Sequence, residues 1–216
     1  MIEATMKEKV KEFIVKNFKW IILFICLIGF LAIAENVFNK EIMNGDIVGY
    51  KLISTFLISD FATPIAKFIT NFGDAIFLTV LTIILFILIK NKKIGVSIFS
   101  NLVIITALNQ LLKNILQRPR PTEYRIIEET GYSFPSGHSM ISMAFYGYII
   151  YLIYKYVKNK YIKWISIVLL SILICSIGIS RIYLGVHYTS DVLGGFLISV
   201  SYLVIYISAV IKSFVL

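Results

Sequence analysis

The chain has 216 residues, 58% hydrophobic and 15% charged, with a formal net charge of +9 and a mean hydropathy of +0.86. Soluble domains carry roughly 25% charged residues, so this composition excludes an ordinary soluble domain; it also excludes a disordered chain, and two cysteines, Cys26 and Cys175, are too few for a disulfide scaffold. An all-α polytopic membrane protein remains, a single domain over residues 1–216 with room for about six helical crossings of about 20 residues each.

In chain order, the amino-terminal segment 1–19 mixes Lys and Glu with Met6, Val10, Phe13 and Ile14 at helical spacing, the pattern of an interfacial helix. Uncharged runs follow at Trp20–Ala34, Ala75–Ile89, Ile94–Leu112, Ser139–Tyr154, Trp164–Ser180 and Val192–Ile211, and each is read as a transmembrane helix of one bundle. None alternates apolar and polar residues as a membrane β-strand would. The first two are short, but Lys19 and Lys90 can snorkel to the interface. Ala32-Ile33-Ala34 at the end of the first run also has the form of a signal-peptide cleavage site. Segment 39–71 carries KLISTFLISDFATPIAKF, an amphipathic stretch interrupted by Pro64, and predicts short interfacial helices. Both cysteines lie in apolar runs and read as small buried hydrophobes.

Lysine placement sets the orientation, because cytoplasmic loops carry the excess of Lys and Arg. The amino-terminal tail, the loop at Lys90–Lys93, the loop at Lys155–Lys163 and Lys212 hold thirteen of the 21 basic residues. Both termini are therefore expected in the cytoplasm. The opposite face receives Lys113, Arg118, Arg120, Arg125 and Arg181, against that bias, which points to an anion bound there.

Three clusters share that face. KNILQRPRP, Lys113–Pro121, places Lys113 in the last turn of the third span, and its prolines stop the helix so that Arg120 can turn back toward it; a basic anchor for lipid headgroups is the plainer reading. In PSGH, Pro135–His138, Ser136 and Gly137 offer backbone N–H groups at a helix start, where an anion is favoured, and the unperturbed value of a histidine makes His138 a candidate proton donor near neutral pH; the plainer reading is a capped helix with a surface histidine. In SRIYLGVHYTSD, Ser180–Asp191, His187 and Asp191 stand four apart, so on one helix face the carboxylate can orient the imidazole. There the plainer reading makes Asp191 a helix cap. Together the clusters hold both of the chain's histidines and can surround one phosphate.

In order and spacing, Lys113-x6-Arg120-Pro121, Pro135-Ser136-Gly137-His138 and Ser180-Arg181-x5-His187-x3-Asp191 resemble the tripartite signature of the type 2 phosphatidic acid phosphatase (PAP2) superfamily. The signature region covers residues 113–191. The resemblance implies a metal-independent, cofactor-free phosphatase working through a phosphohistidine. It implies His187 as nucleophile, Asp191 as its orienting partner and His138 as general acid, with Lys113, Arg120, Ser136, Gly137 and Arg181 on the phosphoryl oxygens. Arg118 and Arg125 lie outside the signature and would only attract the headgroup; Glu123, Glu128 and Glu129 would sit in a solvated loop. Phosphoryl transfer without a metal needs cations and backbone donors to carry the developing charge, and this set supplies them.

A chain that is nearly all membrane implies a lipid substrate at the outer headgroup plane. The resemblance to small bacterial members of the superfamily implies a bacterial plasma membrane protein, with undecaprenyl pyrophosphate as the favoured substrate, phosphatidylglycerophosphate or phosphatidate as alternatives, and no nucleic-acid partner. A non-enzymatic transporter or scramblase is the competing class. It calls for ionisable groups within the spans, where only Glu35 and Asp74 occur, near their ends; Asn101, Asn109 and Gln110 read as helix-packing contacts.

Overall fold

The computed structural model describes the backbone of residues 2–40 and 42–214 and the side chains of residues 16–40 and 42–210. Among the described residues there is no strand. Eight α-helices follow one another: α1 Ile2–Phe38, α2 Asn44–Phe56, α3 Ala62–Thr70, α4 Ala75–Leu88, α5 Lys92–Leu116, α6 Gly137–Tyr156, α7 Lys160–Tyr183 and α8 Thr189–Phe214, with a 3₁₀ turn at Asn71–Gly73. The apolar side chains of the amino-terminal segment, Met6 to Ile14, lie outside the described residues. The α1 backbone continues unbroken through Ala32-Ile33-Ala34, and Ala34 packs with Phe30, Val37 and Phe134.

Among the described residues, four helices are long and apolar enough to cross a membrane: Lys16–Phe38 of α1, α5, α7 and Thr189–Val210 of α8. The expected second span is a broken one. Residues Ala62–Gly73 and Ala75–Leu88 meet at 52°, and α4 alone, at about 1.5 Å per residue, reaches only about 21 Å. Asp74 makes the break, leaving the helix at ψ 144° and accepting N–H groups of Ile76 and Phe77 as the cap of α4. In the amphipathic segment the interruption falls at Leu57–Phe61, whereas Pro64 sits inside the first turn of α3, where its missing N–H costs nothing.

The helix of the expected fourth span, α6, is not among those four and carries five tyrosines between Tyr146 and Tyr156. Its position accounts for this. It packs against α5, α7 and α8, and Met140, Ala144, Phe145 and Tyr148 are almost wholly buried against Ile98, Ile105 and Ile177. A helix screened from lipid by its neighbours can carry polar groups if they are paired, and Tyr148 donates to Ser97 Oγ at 2.8 Å. The outer faces are apolar where lipid would lie, as at Phe24, Ile28, Ile87, Val103, Leu169 and Ile205. Cys175 is exposed there and Cys26 half-buried, both as free thiols, so neither is a core residue.

Of the three polar residues on α5, Asn101 donates to the Ala144 carbonyl at 3.4 Å and Asn109 to the Pro135 carbonyl at 3.2 Å. Both are helix-packing contacts as expected. Gln110 is exposed.

Candidate active site

All three sequence clusters meet at one end of the bundle. The α5 helix ends at Leu116 because Gln117 adopts a left-handed conformation (φ 43°) and Pro119 follows two residues later. This leaves Lys113 in the last turn, with its ammonium donating to the Tyr132 carbonyl. The α6 helix starts at Gly137 with Ser136 as its cap. Ser136 is fully buried: its Oγ accepts from Ser139 N, and its own N–H is donated to the Asp191 carbonyl at 3.0 Å. That N–H is thus committed to the fold rather than to a ligand, which corrects the expectation of a free donor at Ser136. Gly137 has the space of a close approach; a Cβ there would stand 3.2 Å from Asn109 Oδ1 and 4.0 Å from Lys113 Cε.

His187 lies between α7 and α8, 3% exposed. Its Nδ1 faces Asp191 Oδ2 at 3.3 Å and its Nε2 faces Arg120 Nη1 at 3.0 Å. A guanidinium can only donate, so Nε2 carries the lone pair and Nδ1 the proton. Burial, and then the charges of Arg181, Arg120 and Lys113, hold the imidazole well below the ordinary histidine range, with a backbone hydrogen bond at Ser133 working against them. A depressed value keeps the ring neutral at physiological pH, the state in which Nε2 can attack phosphorus.

Arg120 is fixed by the Val186 carbonyl (3.0 Å) and by the Thr130 and Gly131 carbonyls. Arg181 is 1% exposed. Its Nη1 donates to Thr70 Oγ1 at 2.7 Å and its Nη2 to Glu129, while its Nε is buried without a partner. Glu129 also stands 3.8 Å from Arg120, so it is not a solvated loop residue: its carboxylate bridges two arginines that the signature assigns to phosphate. Arg125 and Glu128, by contrast, form an open pair at 3.9 Å with Glu128 92% exposed. His138 sits in the first turn of α6, where Gly73 of the 3₁₀ turn lies so close that a Cβ there would stand 3.2 Å from its ring. A cavity of about 720 Å³, lined in part by Ile47, Tyr50, Thr122, Tyr124 and Tyr188, opens beside His187.

Arg118 is the larger correction. Instead of waiting at the surface for a headgroup, it is 5% exposed and pairs with Asp191 at 2.7 Å and Asp46 at 2.8 Å. Sequence reasoning missed Asp46 altogether. The available signal was a carboxylate in apolar surroundings, where unpaired polar groups are costly.

The PAP2 superfamily model matches residues 93–214, more than half of the chain. The chain belongs to the PAP2 superfamily. It is accordingly a phosphoric ester hydrolase built on membrane-spanning helices. Phosphatidylglycerophosphatase B of Bacillus subtilis is 40% identical over 90 residues, which are 41% of this chain and 44%, less than half, of that protein. Undecaprenyl-diphosphatase of Sulfolobus acidocaldarius is 27% identical over 195 residues, 85% of this chain and 86% of the other. The crystal structure of a transmembrane PAP2-type phosphatidylglycerolphosphate phosphatase from Bacillus subtilis superposes with a TM-score of 0.76 at 27% identity, covering 88% of this chain and 96% of that one.

Proposed function

We propose that the protein hydrolyses a lipid phosphate or pyrophosphate by transferring the terminal phosphoryl group to His187 Nε2. The observation that carries this reading is the state of His187: a buried neutral imidazole with Asp191 on Nδ1 and a phosphate-binding arginine on Nε2. Nε2 forms the P–N bond as the bond from phosphorus to the lipid oxygen breaks. His138, which takes up its proton beside the negative charge of the bound phosphate, gives that proton to the leaving oxygen, then takes one from the water that cleaves the phosphohistidine. Asp191 keeps Nδ1–H in place and offsets the positive charge that develops on the ring. Arg120, Arg181 and Lys113, with the Gly137 N–H, carry the charge on the equatorial oxygens, and Ser136 serves this array by capping α6. The unpartnered Nε of Arg181 suits a phosphoryl oxygen, the kind of group a buried guanidinium donor otherwise lacks.

Undecaprenyl pyrophosphate is the substrate we favour. A relative named for that activity aligns over most of both chains, and the short connections leave the site open to a bulky polyprenyl tail. Phosphatidylglycerophosphate is the second reading, favoured by the 40% identical Bacillus stretch and the superposed crystal structure; phosphatidate shares its chemistry. Phosphate release from the three lipids by detergent-purified protein in excess EDTA tests both. Release that survives EDTA is expected, fastest on the undecaprenyl lipid; a faster rate on phosphatidylglycerophosphate selects the second reading. No release from any of them returns the protein to the transporter class.

For the membrane we propose six crossings: α1, the broken α3–α4 pair, α5, α6, α7 and α8, with both termini cytoplasmic and the site outside. The lysines near 90–93 and 155–163 support that orientation. Thr122 and Lys158 are exposed at opposite ends. In a background with Cys26 and Cys175 replaced by serine, Thr122→Cys is expected to react with an impermeant maleimide on intact cells and Lys158→Cys only after lysis. The reverse pattern inverts the topology.

A further inference from the structure

The amphipathic segment between α1 and the broken span contributes a buried charge to the site. Asp46, in the first turn of α2, is 3% exposed. Its Oδ1 accepts the Ser190 N–H at 2.8 Å, so a residue 144 positions away serves as the acceptor for the first turn of α8. Its Oδ2 accepts from Arg118 Nη2 at 2.8 Å. The other arm of Arg118, Nη1, donates to Asp191 Oδ1 and to Ser190 Oγ, each at 2.7 Å, and the guanidinium lies 4.1 Å over the Tyr188 ring. Asp191 is fully buried and is gripped from two sides, Oδ1 by Arg118 and Oδ2 by the Tyr188 N–H (2.9 Å) and His187 Nδ1. One turn along α2, a Cβ at Gly49 would stand 2.1 Å from Thr189 Oγ1, so α2 lies directly on the first residue of α8.

We propose that Asp46 and Arg118 are positioning residues of the reaction: they fix the rotation and charge of Asp191, and through it the orientation of His187. Two carboxylates share one guanidinium here, so the cluster keeps a single net negative charge beside Nδ1. Phosphorylation of Nε2 makes the imidazole cationic and completes the balance. Without Arg118, Asp191 loses the donor on Oδ1 and can rotate away from Nδ1. Without the Asp46 charge, Arg118 neutralises Asp191 outright and the carboxylate stabilises the cation less. Neither residue is assigned a contact with substrate, so their loss acts on the chemical step.

The inference rests on His187 being the nucleophile, and the experiment separates the two. kcat and KM are measured for phosphate release from phosphatidylglycerophosphate and undecaprenyl pyrophosphate in micelles for wild type, Arg118→Met, Arg118→Lys, Asp46→Asn, the Arg118→Met/Asp46→Asn pair and His187→Ala. Outer partners of this kind, when lost, cost about 10–100-fold. The expected result is kcat about 100-fold lower in Arg118→Met and about 10-fold lower in Asp46→Asn, with KM changed less than about threefold. The pair should be no worse than Arg118→Met alone, because both act through one carboxylate. Lysine should restore little, as a point charge cannot bridge two carboxylates. The chain has two histidines, so ¹⁵N-histidine labelling with His138→Gln as the assignment control isolates the His187 Nδ1–H resonance, which should move upfield in Asp46→Asn and Arg118→Met. Wild-type kcat in folded Asp46→Asn and Arg118→Lys, a change confined to KM, or an unmoved Nδ1–H signal overturns the positioning role while a dead His187→Ala leaves the phosphohistidine reading standing. Turnover retained by His187→Ala overturns both.

Discussion

His187→Ala is expected to lower phosphate release by at least about 10⁴-fold on every lipid tested, because the group that forms the covalent intermediate is removed and water has no substitute for it. The fold should survive the change. Asp191 retains Arg118 and the Tyr188 N–H as partners, and Arg120 retains its carbonyl contacts with Val186, Thr130 and Gly131. Loss of turnover with an unchanged thermal midpoint is therefore the signature to look for. Protein quenched in alkaline SDS during turnover of lipid labelled at its terminal phosphate should carry acid-labile, base-stable label in the wild type and none in the variant. Asp191→Asn should cost about 10³–10⁴-fold with the ring still in place, since an amide can present its N–H₂ to Nδ1 and favour the wrong tautomer. A His187→Ala protein that still turns over would remove the nucleophile from this site.

Arg181→Met is expected to lower kcat/KM by about 10³-fold, in the range found for single cations or donors on developing phosphoryl or oxyanion charge. The reason lies in the burial. Arg181 is 1% exposed, so its charge acts through little water, and its Nε has no protein partner to lose. Two groups are left behind: Thr70 Oγ1 loses its donor and Glu129 keeps only the longer contact to Arg120. Glu129 is still 28% exposed, so water replaces part of what it loses, and the destabilisation should stay near 1–2 kcal/mol. Arg181→Lys should recover little activity, because one ammonium cannot reach Thr70, Glu129 and a phosphoryl oxygen together. Steady-state kinetics with a parallel thermal melt check both parts. A change confined to the melt would make Arg181 a structural residue only.

Much of the site was legible because its information is local. Lys113 in the last turn of a helix, Ser136 capping the next one and His187 four residues before Asp191 are all statements about helical spacing. The residues that were misread or missed have partners far away along the chain. Arg118 and Asp46 are 72 apart, and Arg181 and Glu129 52. A buried pair of this kind leaves no periodic trace, since its partner is chosen by how the helices cross. The spans show the same division. Long apolar helices such as α5 and α7 announce themselves, whereas the Asp74 break and the tyrosine-rich α6 depend on their neighbours.

By itself, the sequence determined the all-helical membrane class, the end of the bundle where basic residues gather and the identity of the two histidines with their carboxylate, because composition and helical spacing are properties of neighbouring residues. The tertiary structure alone decided that Glu129 occupies the arginine pair, that Ser136 spends its N–H on Asp191, and that Arg118 and Asp46 grip the carboxylate behind His187. In a buried site every charge must be matched, and only the packing of α2, α7 and α8 around the connection between α5 and α6 brings the matching charges within reach.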